Sequence, residues 1–297
     1  MKKKIKYSLL ILFILIGIGS VIISKYVLPY AIIQPPRVSE NILPSDLNLK
    51  SIDINVITKD SIKIKGYWIK SDSIAPKSAI VFVHGIGGCK EHFLNLSKKL
   101  SEIGIESILI DSRAHGKSGG KFCTYGYKEK VDISNVIDFV KEKNDTIPIG
   151  IWGNSMGGAI AIQALEYDKR IEFGIIESTF TSLEEIVYDY QKSNSYGIGL
   201  KPLCNIALNE AGKLAEFNPD LVSPITSVKQ IEQPILIAHG DKDENIKFEY
   251  GKLLFENLKS KDKKFITIKN GGHFDLSQKG GDKYKKNIMD FLIKHSN

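Results

Sequence analysis

The feature that most narrows the fold is a series of short apolar runs separated by amphipathic stretches of helical length. Residues 79–83, 105–110, 147–152, 173–176, 235–238 and 265–268 are the runs, and most of them are continuous. Residues 91–103, 127–143, 159–167, 248–258 and 283–295 lie between them and carry apolar side chains at helical spacing. A strand that is apolar along its whole length is buried on both faces. The alternation therefore predicts an α/β fold, a mainly parallel sheet flanked by helices. Ahead of it, residues 51–58 and 62–70 alternate apolar and polar around Lys59-Asp60-Ser61, as an antiparallel hairpin does. Functional residues of such sheets gather beyond the carboxyl ends of the strands, and every motif discussed below sits there.

The alternation is interrupted once, over residues 181–230, where helical pieces follow one another without a strand. Tyr188, Tyr190, Leu200, Leu203, Ile206 and Leu208 give this insertion an apolar face, so it reads as a small helical cap over a body spanning residues 51–297. Residues 29–50, with Pro29, Pro35, Pro36 and Pro44, are expected to exclude regular helix and to act as a linker. The first 28 residues form a separate segment. Lys2, Lys3, Lys4 and Lys6 precede an apolar stretch from Tyr7 to Ile23, about 25 Å long as a helix. This predicts an N-terminal transmembrane anchor with the N-terminus cytoplasmic and the body outside, the alternative being a signal peptide cleaved near Gly17-Ile-Gly19 and a secreted product.

Charge follows the same division. The chain carries a net +7, but its first 28 residues hold five lysines and no acid, leaving only +2 for the rest. The excess belongs to the membrane segment, and no nucleic-acid partner is implied. Cys89, Cys123 and Cys204 have no metal-ligand spacing and read as packing residues.

Chemistry centres on Gly153-Asn-Ser155-Met-Gly157, set between an apolar run and a helical stretch. A serine on a sharp strand-to-helix turn is exposed at the top of a sheet with the next backbone N–H aimed at the same point. Its hydroxyl needs a base, and the base needs an orienting acid. His273, in Asn270-Gly-Gly-His273 after the last run, is the candidate base. Asp243, in His239-Gly-Asp-Lys-Asp243, is the candidate acid, with Glu177 as a second possibility and Asp241 read as a turn residue. The amides of Met156 and Ile86 are the candidate oxyanion donors, Ile86 lying in the glycine-rich loop His84-Gly-Ile-Gly-Gly88. His84 reads as a brace for that loop, and Asp111 with Arg113 as an ion pair.

Together with Asp111-Ser-Arg-Ala-His-Gly-Lys-Ser-Gly-Gly120, these segments resemble the α/β-hydrolase superfamily from about residue 51 onward, most closely its bacterial esterase, monoacylglycerol-lipase-like and prolyl-oligopeptidase-like branches. The resemblance implies Ser155 as nucleophile, His273 as base, Asp243 as orienting acid, and Ile86 and Met156 as oxyanion amides. Ala114 before His115-Gly116, and Ile246-Lys247 after the acid, depart from the family pattern without touching these side chains.

The resulting expectation is a membrane-tethered serine hydrolase that cleaves a small-molecule carboxylic ester, or a thioester, through an acyl-enzyme. No metal or organic cofactor is implied. The alternatives are an exopeptidase or amidase, which would use Glu184, Glu185 or Asp189 to hold an amino terminus, and a non-catalytic binding protein on the same fold.

Overall fold

The apolar runs pair as strands of one sheet. The computed structural model describes residues 2–71 and 75–296. Its strands are β1 (Ser51–Ile57), β2 (Lys63–Ile69), β3 (Ser78–Val83), β4 (Ile105–Ile110), β5 (Ile149–Asn154), β6 (Ile171–Glu177), β7 (Ile235–Gly240) and β8 (Lys263–Ile268), in the spatial order β1-β2-β4-β3-β5-β6-β7-β8. β2 pairs antiparallel with β1 and β4, while every pairing from β4 across to β8 is parallel. The front hairpin thus closes one edge, and β5 lies centrally.

Period-two alternation divides the strand side chains between two cores. Val81, Val83, Ile149 and Ile151 pack with α4 (Glu129–Lys143), α5 (Met156–Tyr167) and α9 (Phe248–Asn257). Ile80, Phe82, Trp152 and Phe173 pack on the opposite face with α3 (Leu94–Ser101) and α10 (Leu276–His295). Each fully buried Ile or Leu contributes about 1.5–3 kcal/mol, so the two layers hold β5 from both sides. Every residue of α5 from Met156 to Leu165 is buried, which explains why its sequence is apolar all round.

Between β6 and β7 stand α6 (Leu183–Asn194), α7 (Lys201–Ala215) and the short α8 (Pro224–Ser227). Ser182 caps α6, its hydroxyl accepting from the Glu185 N–H at 3.2 Å. At the front of the chain are α1 (Lys2–Tyr26) and α2 (Leu28–Ile33). The stretch Lys4–Ile33 is long and apolar enough to cross a membrane by length and composition. Side chains from Leu9 to Ile16 are exposed, whereas Ser24 is buried where α1 and α2 pack on α7.

The prolines after residue 28 act differently from the expectation. Pro29 stands in the first turn of α2, where a missing N–H costs nothing, so it starts a helix instead of excluding one. The segment that follows is bonded to the body. Ile33 is fully buried and its carbonyl accepts the Cys123 N–H at 2.8 Å; the Tyr125 hydroxyl donates to Ile32 O at 2.5 Å. The Arg37 guanidinium donates to the carbonyls of Ser118 at 2.6 Å, Gly116 at 3.1 Å and Gly120 at 2.5 Å. The three cysteines are free and buried.

Candidate active site

Ser155 joins β5 to α5 with φ 55° and ψ −124°, a conformation that L-residues rarely adopt and that costs on the order of 1–3 kcal/mol. The turn is held by its flanks. Ser155 N–H donates to Glu177 O at 2.9 Å, and the Thr179 hydroxyl donates to Ser155 O at 2.7 Å. The two glycines of the motif are required by close approach: a Cβ on Gly153 would lie 2.1 Å from Gly157 O, and one on Gly157 would lie 2.0 Å from Val83 O. Only 7% of Ser155 is exposed.

Parallel pairing brings the ends of β5, β7 and β8 to the same sheet edge, and with them Ser155, Asp243 and His273. The loops after β7 and β8 are laced together by backbone bonds, Asp241 N–H to Ile268 O at 3.1 Å and Lys242 N–H to Gly271 O at 2.9 Å. Within this frame His273 Nδ1 donates to Asp243 Oδ2 at 2.8 Å. The other Asp243 oxygen accepts the amides of Asn245 and Ile246, each at 2.9 Å. Among the described residues no hydrogen bond joins Ser155 Oγ to His273, a looseness common in sites without bound substrate.

A residue not singled out for this role from the sequence completes the acid's surroundings. His239, fully buried in β7, places Nε2 3.0 Å from Ile246 O and 3.3 Å from Asp243 Oδ2. Both neighbours are acceptors, which assigns the proton to Nε2. Burial by itself would raise the Asp243 pKa; hydrogen bonds from His239 and His273 outweigh it and hold the carboxyl well below the usual range. Asp243 therefore stays ionised and fixes the His273 ring with its Nε2 free to accept a proton.

The loop after β3 supplies the opposite wall. Gly85 lies against the serine, where a Cβ would meet Ser155 Cβ at 3.2 Å and Oγ at 3.7 Å. Among the described residues, neither the Ile86 N–H nor the Met156 N–H has a hydrogen-bond acceptor. His84 Nδ1 donates to Gly85 O at 2.8 Å, and its Nε2 accepts the Ser112 N–H at 3.0 Å. Burial and the adjacent His115 push its pKa down to about 4, so His84 is a neutral brace with both nitrogens engaged.

Asp111 and Arg113 do not pair with each other. Asp111 accepts the backbone and side-chain nitrogens of Lys90, each at 2.8 Å, and the Lys117 N–H at 2.9 Å. Arg113 instead forks onto Asp132 at 2.6 and 2.7 Å and reaches Asp60 at 2.9 Å. Asp241 accepts the Asn270 N–H at 2.6 Å, a bond between loops and not within its own turn. Glu177 accepts from Trp152 Nε1 at 3.0 Å and bonds the Tyr284 hydroxyl; His273 is not among its partners.

A serine held at positive φ between a parallel sheet and its central helix, with an Asp–His pair on the next loops along the same edge, fits one class of protein, and comparison bears this out: the chain belongs to the α/β-hydrolase superfamily. Residues 74–193 match the family model described as "Serine aminopeptidase, S33". The chain is 30% identical over 236 residues to the Bacillus subtilis protein YqkD, covering 76% of each chain. It is 27% identical over 204 residues to the lysophosphatidylserine lipase ABHD12 of Macaca fascicularis, matching 63% of this chain and 47% of that one. Among solved structures, the Pyrococcus furiosus esterase PF2001 superposes with a TM-score of 0.74 at 25% identity, over 89% of this chain and 98% of that one.

Proposed function

We propose that this α/β hydrolase is a membrane-tethered carboxylic-ester hydrolase acting through an acyl-enzyme on Ser155. The observation that carries the proposal is the 2.8 Å His273–Asp243 bond at the sheet edge where Ser155 stands strained. Ser155 Oγ attacks the ester carbonyl carbon while its proton passes to His273 Nε2. The Ile86 and Met156 amides stabilise the resulting oxyanion, at about 3–4 kcal/mol of barrier per donor. Collapse of the tetrahedral species breaks the bond to the leaving alkoxide, which takes the proton from His273. Water, deprotonated by the same nitrogen, then releases the acid and restores Ser155. The esterase and lysophosphatidylserine-lipase names of the similar proteins support ester over amide substrates, and α1 supplies the tether.

An aminopeptidase would need a free carboxylate to hold the substrate amino terminus. Of the cap acids, Asp189 is engaged by Lys247 and Tyr250 and Glu185 by Thr181, which leaves Glu184 as the candidate for that role. We expect Ser155→Ala to abolish both p-nitrophenyl ester hydrolysis and fluorophosphonate labelling while circular dichroism is unchanged. Undiminished hydrolysis in that variant refutes the assignment, and faster cleavage of aminoacyl amides than of acyl esters by the unaltered chain would favour the peptidase.

A further inference from the structure

A cavity of about 620 Å³ lies between the cap and the N-terminal helices. Its lining is mostly apolar, and it is shared by two parts of the chain. Ser20 and Ile23 of α1 with Leu28 and Ala31 of α2 form one wall; α6 and α7 of the cap form the other. One end approaches the serine turn. Ile86, next to the glycine that lies against Ser155, lines the cavity, as does Tyr190 of the cap. The volume lies within the range of small-molecule sites.

The placement of α1 identifies the occupant. Its side chains from Leu9 to Ile16, and again Ile18, Val21, Ile22 and Tyr26, are exposed, as contact with lipid requires, while Ser20 and Ser24 line the cavity. From Tyr7 to Ser20 the helix rises about 20 Å, so in a hydrocarbon core about 30 Å thick the cavity opens in the leaflet farther from the N-terminus. A mostly apolar slot that opens in a membrane leaflet and runs toward the loop beside an ester-cleaving serine suits a hydrocarbon chain. We propose that α1 and α2 are part of the substrate site: they complete a binding cavity for the acyl chain of a single-chain lipid ester drawn from the membrane. This rests on the serine-hydrolase reading above and adds the N-terminal helices to the binding residues.

The test uses the full-length chain in detergent micelles and the ratio of kcat/KM for p-nitrophenyl dodecanoate to that for p-nitrophenyl acetate. Ser20→Trp and Ala31→Trp project bulk into the cavity from positions that are not fully buried. Burying one methylene changes binding about fourfold, so displacing two or more lowers the ratio at least tenfold. Phe13→Trp, on the exposed stretch of α1, keeps the ratio within twofold. A ratio unmoved by both cavity variants, or lowered equally by Phe13→Trp, overturns the assignment. As a second measurement on the unaltered chain, a dodecyl fluorophosphonate with a terminal diazirine should cross-link within residues 20–32. Cross-links confined to the cap overturn the role of the N-terminal helices even if the tryptophan variants fail to fold. No labelling of Ser155 and no ester cleavage by the unaltered chain instead overturns the hydrolase reading itself.

Discussion

The candidate acid, Asp243, is held by two imidazoles, and only one of them faces the serine. His239→Phe keeps the ring volume that fills the space beside Gly251 but removes the second donor to Asp243. A hydrogen bond to a charged group is worth about 1.5–3 kcal/mol, so we expect kcat to fall about 10- to 100-fold with KM little changed. Steady-state kinetics on a short ester would check this, and a change confined to KM would count against it. Glu177 offers a different experiment. Burial raises its pKa to about 7 from an ordinary 4.5, so the folded state holds a proton that the unfolded chain has released. The stability this confers is complete below about pH 4.5 and is lost as pH rises through 7, amounting to at most about 3 kcal/mol. The melting temperature should therefore drop between pH 5 and pH 8 in the unaltered protein and drop less in Glu177→Gln. Equal drops in both would show that the carboxyl does not titrate in this window.

At the level of elements, the sheet was legible because burial on two faces leaves an unbroken apolar run, and the serine turn because close backbone approach forces glycine at 153 and 157. Other features were hidden for physical reasons. Pro29 looks like a helix breaker until its place in the first turn is known. The Lys90–Asp111 and Arg113–Asp132 pairs join residues about 20 positions apart, and no local spacing announces them. His239 reads as an ordinary polar residue at the end of a strand. Its role depends on the turn that folds Asp243 back toward it. The segment after α2 is the largest departure, since an expected linker is a fitted strap. Arg37→Ala removes three strong bonds to the Gly116–Gly120 loop and should speed proteolysis within residues 34–43, read by mass spectrometry of a limited digest. An unchanged cleavage pattern would show that Ile33 and its neighbours hold the strap without the arginine.

For the molecule as a whole, the charge and apolar surface of the first 28 residues set its expected company. With α1 in place, the full-length protein should sediment with membranes, resist extraction by high salt and alkaline carbonate, and dissolve in detergent. Release by salt alone would reduce α1 to a surface contact. The strap at Arg37 and the seat of α1 on α7 have a consequence for kinetics. A body joined to its membrane helix by a flexible tether would sample many heights and tilts above the lipid. A body whose first turns after the helix are bonded to its own loops keeps one orientation, with the same face always toward the surface. Under the reading developed above, such an enzyme meets its substrate by lateral diffusion in two dimensions. Its rate should follow the mole fraction of ester in the bilayer and should be insensitive to the volume of water around the vesicles.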